Sequence, residues 1–153
     1  MDLLGIIFSQ PDWSFNAGDY EYNGSFTSVV VIDGIESGDV NDMLGAFVNG
    51  ECRGIAQLSD GSVLDYSDAL GHVFFTPMVF SNASSGEIMT FTFWDSSEES
   101  YIEVGEYEFS PDMTVGSFTD SYVFIGESGS DTAPDWSFNA GDYEYNGSFT
   151  SVV

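Results

Sequence analysis

Residues 43–58 read MLGAFVNGECRGIAQL. Asn49-Gly50 stands between two apolar-rich runs, Met43–Val48 and Glu51–Leu58, and this dipeptide is the strongest short-range hairpin signal because both residues tolerate positive φ. The reading is an antiparallel hairpin with Cys52 on its inner side and reduced. Period-two alternation recurs on either side of it, and no helical face does. Gly24–Ile32 is rich in Ser, Thr, Val and Ile, and places Phe26, Ser28, Val30 and Ile32 on one face. His72–Phe80 is a further apolar run whose Pro77 lacks an amide donor, which argues for an edge strand or a bulge. Glu87–Trp94 alternates cleanly, with Met89, Phe91 and Phe93 on one face, and 101–104, 107–109 and 121–125 add shorter segments. Seven to eight strands of this kind predict an all-β chain, an antiparallel β-sandwich of jelly-roll or immunoglobulin-like type, with a barrel as the alternative.

The composition excludes several functions. Of 153 residues 26 are Asp or Glu and 1 is Lys or Arg, a formal net charge of -25. Nucleic acid and anionic membrane are poor partners for such a surface, since both are bound through Lys and Arg. Hydrophobic content of 42%, with 14 Phe, 8 Tyr and 3 Trp, is too high for an acidic disordered tail. No apolar run is long enough to span a bilayer, so no membrane insertion is expected. The opening residues lack a basic region and a small-residue cleavage site, and read as mature chain rather than signal peptide.

Residues 11–30, PDWSFNAGDYEYNGSFTSVV, recur letter for letter at 134–153, beginning 123 residues later (134 − 11). Internal repetition of this kind is the signature of an array. The organisation predicted is an apolar leader over 1–10, a repeat unit over 11–125, a Gly/Ser-rich linker over 126–133, and the start of a next unit over 134–153. The expectation is a window on a tandem array of units of about that length. The leader, through Leu3, Leu4, Ile6, Ile7 and Phe8, and the second copy, through Trp136, Phe138, Phe149 and Val152, are the candidate assembly segments. An extended leader suits β-strand addition to a neighbouring unit, a head-to-tail contact that generates filaments.

Three stretches carry a resemblance: W-x-F-N…Y-E-Y-N-G-S-F-T-S-V-V-V-I-D-G (13–34), N-D-M-L-G-A-F-V-N-G-E-C-R-G-I-A (41–56) and V-F-F…F-S-N-A-S-S-G-E-I-M-T-F-T-F-W-D (73–95). Together they resemble a module of large secreted and surface proteins of marine and Bacteroidota-type bacteria, where it often occurs in tandem. The resemblance covers roughly 13–125 and implies an extracellular or cell-surface β-rich module. It brings no catalytic residues. The absence of lysine is a departure from what such modules lead one to expect.

Calcium is the one cofactor that the acidic loops suit, because it takes six to eight hard oxygen ligands. The candidates are Asp33, Glu36, Asp39, Asn41 and Asp42 in the first loop, Asp60, Asp65 and Asp68 in the second, and Asp95, Glu98 and Glu99 in the third. None fits the EF-hand spacing, and solvated loops are the plain alternative. Arg53, the sole Lys or Arg, is expected in a structural ion pair, with Asp42 as the chosen partner and Asp39 and Glu51 as alternatives. Trp13, Trp94, Tyr20, Tyr22 and Tyr101 would make a sugar-stacking platform if exposed, and core residues if not. Asn23, Asn82 and Asn146 head N-glycosylation sequons. One Cys and one His leave no zinc set, and the acids form no focused pair of the glycosidase kind, so no enzyme is expected. The function read from all this is a structural repeat of an extracellular fibre, surface filament or adhesin stalk. The alternative is a glycan- or calcium-binding module carried in tandem.

Overall fold

A computed structural model describes residues 10–129. It is all-β, with twelve strands in two sheets and, among the described residues, only two single-turn 3-10 segments, Ala17–Asp19 and Leu58–Asp60, in place of helices. The strands are β1 Tyr22–Phe26, β2 Ser28–Ile32, β3 Ile35–Glu36, β4 Met43–Val48, β5 Glu51–Ala56 and β6 Val63–Tyr66. They continue with β7 His72–Phe75, β8 Met78–Ser81, β9 Ile88–Asp95, β10 Ser100–Glu108, β11 Thr114–Val115 and β12 Tyr122–Gly126. Seven make one sheet in the order β10-β9-β4-β5-β8-β1-β11. The other runs β12-β2-β7-β6, with β3 paired on β2. The larger sheet is mixed and strongly curled, a half-barrel.

The hairpin forms as its turn chemistry dictates: β4 and β5 pair antiparallel, and Asn49 and Gly50 both have positive φ, at 52° and 81°. The purely antiparallel sandwich of seven to eight strands does not hold. β1 runs parallel to β11, and β2 runs parallel to β12. The expected strand over 24–32 is two strands, one in each sheet, broken at Thr27. Thr27 donates its N–H to Val115 O at 2.8 Å and accepts from Tyr122 N at 3.0 Å, so its peptide groups are satisfied by the two segments that flank the corner. Gly116, at φ +83°, makes that approach feasible, since a Cβ there would fall 2.2 Å from Thr27 O. The run over 72–80 breaks in the same manner at Thr76-Pro77, between β7 and β8. Pro77 therefore turns a corner between sheets rather than lying on an edge, and its carbonyl accepts from Phe26 N at 3.1 Å. The separate segments over 101–104 and 107–109 are one strand, β10, with a bulge between Glu103 and Gly105. β3, β6 and β11 carry too few residues for alternation to register.

Between the sheets lies a phenylalanine-rich core. Phe26, Phe75, Phe91, Phe93 and Phe124 are all within 1% of full burial. Their rings meet as Phe26–Phe91 at 5.1 Å, Phe91–Phe124 at 4.5 Å and Phe75–Phe93 at 5.8 Å. Each such pair is worth about 0.5–1.5 kcal/mol beyond its burial. The assembly candidates Leu3, Leu4, Ile6, Ile7, Phe8, Trp136, Phe138, Phe149 and Val152, and the sequon at Asn146, lie outside the described residues.

Candidate functional site

Before β1 the chain lies extended against the outer face of the larger sheet. Pro11, Trp13 and Phe15 are half-buried while Asp12 and Ser14 are exposed, the period-two signature of an extended segment resting on a surface. Trp13 meets Phe47 edge-on at 5.3 Å and tilts against Tyr101 at 6.0 Å. Its seat is Gly45, where a Cβ would come within 2.9 Å of the indole and 2.8 Å of the Phe47 ring. Phe15 and Tyr20 pack on Phe80, at 5.3 Å and 6.4 Å. The single turn between them is capped by Asn16, whose Oδ1 accepts from Gly18 N at 3.0 Å. Asn82 clasps the end of this arm, accepting from Glu21 N at 2.8 Å and donating to Asp19 O at 3.0 Å. The carboxamide of that sequon is thus engaged in the fold; Asn23 is exposed on β1.

Arg53 fastens the arm from beneath. Ala46 pairs with Gly54 and Phe47 with Cys52, so Arg53 is the extra residue of a bulge. Its guanidinium forks onto Glu87, Nη1 to Oε1 at 2.8 Å and Nη2 to Oε2 at 3.3 Å, and Nε donates to Glu51 at 2.9 Å. The same cation lies 5.0 Å from the centroid of Tyr20. The ion pair expected of Arg53 is therefore made with Glu51, one of the alternatives, and with Glu87, not with Asp42. Hydrogen bonds from Arg53 hold the Glu87 carboxyl below the usual glutamate range. Burial opposes the charge on Arg53, but its bonds to Glu87 and Glu51 outweigh that and raise its pKa.

Beside the arm is an open cleft of ≈ 460 Å³, walled by Trp13, Phe15, Ile55 and Met78 and set with Gln57, Asp60, Ser62 and Thr76. Aromatic rings next to amide, carboxylate and hydroxyl groups are the chemistry that meets a sugar. Trp94, 5% exposed, is no part of any platform.

The acidic loops are arranged differently. Asp33, Glu36, Asp39, Asp42, Asp95 and Glu98, from two of the three stretches, line one cleft of ≈ 730 Å³. Among the described residues, however, no three His, Cys, Asp or Glu gather closely enough to hold a metal ion. Asp33, Asp39, Asp42 and Asp95 already accept hydrogen bonds from protein donors. Asp42, 3% exposed, accepts from the Ser37 hydroxyl and from Ser96 N at 2.8 Å. The Ser96 hydroxyl lies 2.8 Å from Asp42 and 2.9 Å from Asp39, one proton between two carboxylates. Burial pushes the Asp42 carboxyl up, and the bonds from Ser37 and Ser96 offset part of this.

Elsewhere a local pattern that sequence reasoning missed does the same work. Asp60, Asp65 and Asp95 each accept the N–H of the serine two residues on, at 3.0, 3.1 and 3.0 Å, and its hydroxyl as well. Asp-x-Ser spacing was the available signal, because these side chains readily close such turns. The bonds from Ser67 lower the pKa of Asp65. Asn41 offers Asp39 only its backbone N–H, at 2.8 Å; Asp68 is exposed, and Glu99 sits in a turn at φ 53°. Ser128, read as linker, donates its N–H to Asp33 at 3.0 Å, and Gly126 is the last residue of β12.

Cys52 and His72 are not brought together. Cys52 is half-buried on β5, its Sγ 3.7 Å from Gly54 O, and burial pushes the thiol up, away from a reactive thiolate. His72 on β7 has Nδ1 2.6 Å from Glu36 Oε2 and ties that strand to β3. No family model, no curated protein and no solved structure matches the chain.

Proposed function

We propose that the chain is a structural repeat of an extracellular fibre, surface filament or adhesin stalk, its units joined head to tail and without catalysis of their own. One observation carries this reading. The segment repeated at 134–153 is, in its first copy, the arm together with β1 and the first half of β2, which contribute to both sheets. A segment with that role opens a folding unit, so its recurrence marks the opening of another. The net charge of -25 fits a chain of closely spaced units, since like charge keeps neighbours from collapsing on one another. The resemblance of 13–125 to secreted tandem modules points the same way, and the partners it implies are neighbouring copies.

A second reading is favoured by the cleft of Trp13, Phe15, Gln57 and Asp60, which suits a polysaccharide. Calorimetric titration of the chain against a panel of polysaccharides separates the two. A structural repeat shows no saturable heat. Saturable binding at micromolar concentration, lost in Gln57→Ala and Asp60→Ala, would overturn the structural reading and install the glycan-binding one.

A further inference from the structure

The cleft beside the arm has one polar wall, and that wall is short of protons. Ser62 donates its N–H to Asp60 Oδ1 at 3.0 Å, and its hydroxyl, which accepts from Gln57 N at 3.0 Å, is shared between Asp60 Oδ1 and Gln57 O. Thr76 donates its hydroxyl to Ser62 O at 3.1 Å. Both hydroxyl protons are thus spent inside the wall. What the wall still offers, among the described residues, is mostly lone pairs: on Asp60 Oδ2, which receives only Gln57 Nε2 at 3.5 Å, on Thr76 Oγ1 and on Gln57 Oε1. Against these stand the second amide proton of Gln57 and the hydroxyl of Ser14. An occupant must therefore donate more than it accepts.

Charge narrows the choice further. Asp60 is the one ionisable group among the described residues that line the cleft. Arg53, the chain's single Lys or Arg, is already committed to Glu51 and Glu87, so no guanidinium or ammonium is left to receive an anion. An acidic sugar would set carboxylate or sulfate against Asp60, with a chain of net charge -25 behind it. The facing wall of Trp13 and Phe15, with Ile55 and Met78, suits the C–H face of a pyranose ring, whose hydroxyl rim supplies the protons that Asp60 and Thr76 lack.

From this we infer that the cleft selects by charge: it takes uncharged or amino-bearing polysaccharide and rejects carboxylated and sulfated ones. The inference names the ligand class of the glycan-binding reading above and rests on it. Hydroxyl and ammonium share the chemistry that the wall asks for, since both donate. Ammonium adds an ion pair with Asp60.

Four oligomers of matched length, of glucose, glucosamine, a uronic acid and a sulfated galactose, are titrated calorimetrically into the 153-residue chain. Sodium chloride at about 0.5 M shortens the Debye length to ~4–5 Å, so that charges within the cleft, and not the surface at large, discriminate among them. Saturable binding is expected for the first two, with glucosamine about tenfold tighter, and none for the acidic pair. Asp60→Asn is expected to erase the preference for glucosamine. Met78→Lys, at a half-exposed position on the apolar side, is expected to admit the uronic oligomer, and serves as the test if Asp60→Asn does not fold. If the acidic oligomers bind as tightly as glucose, the inference fails and the glycan-binding reading stands. If none of the four binds, both fall together and the structural repeat remains. An unchanged preference for glucosamine in Asp60→Asn would overturn the inference as well, because the attraction would then lie outside the cleft.

Discussion

Two groups of carboxylates in this molecule are stabilised by opposite means. Glu51 and Glu87 surround Arg53, the chain's single Lys or Arg, and share its charge. Asp39 and Asp42, in the acidic cleft, pair with no cation among the described residues and rely on hydroxyl and amide protons from Ser37, Ser96 and Asn41. The contrast shows how a protein with 26 acids satisfies the half-buried Glu87 and the buried Asp42 when cations are nearly absent. It commits its one guanidinium where three elements must be joined at once, and fills the remaining needs with serine. A fork of rigid N–H donors bridges strands and a ring together, whereas a hydroxyl supplies one proton to one place.

The comparison breaks most visibly at Arg53. Arg53→Met is expected to cost about 2–3 kcal/mol in urea unfolding, because it leaves Glu87 half-buried without its partner and releases Tyr20. A loss under about 0.5 kcal/mol would mean the pair behaves as an exposed surface bridge. Gly45→Val should come next, at about 2 kcal/mol, since the new side chain would occupy the space of the Trp13 and Phe47 rings and displace the arm from its seat. Unchanged stability in that variant would show that the arm lifts at no cost. On the other side of the comparison, Ser96→Ala should cost about 1–1.5 kcal/mol by removing the hydroxyl shared by Asp39 and Asp42.

A pH series sharpens the same contrast. Glu87 titrates below the usual glutamate value when folded, so its contribution is full above that value and is lost as pH falls through its lowered pKa. Asp42 titrates above the usual aspartate value, so its contribution has the other sign: folding is favoured as pH falls toward that value. Glu87→Gln should therefore flatten the acid limb of stability, and Asp42→Asn should steepen it. The smallest effect concerns cations. Sodium chloride and calcium chloride at matched ionic strength should raise the melting temperature equally, by screening alone. A further rise specific to calcium would mean that the serine bonds of the acidic cleft give way to the ion.

The hairpin, the all-β class and the local pinning of acidic loops were decided by neighbouring residues. Asn49-Gly50 closes a turn whatever surrounds it, Met89, Phe91 and Phe93 alternate because a pleat has period two, and each Asp-x-Ser unit folds on itself. Which sheet a strand joins was not written locally. The apolar runs over 24–32 and 72–80 look continuous, yet each changes sheet part-way, at Thr27 and at Thr76-Pro77, because the two faces of the core must be closed at a corner. The parallel pairs β1–β11 and β2–β12 follow from that closure and join residues some ninety positions apart. Arg53 likewise met Glu87 rather than Asp42 because β5 lies beside β8, on whose last residue, Ser81, the Glu87 carboxylate also rests. Short-range geometry is carried by side chains within a few residues of each other, while partners across the fold depend on which strands share an edge, and only the assembled sheets define that.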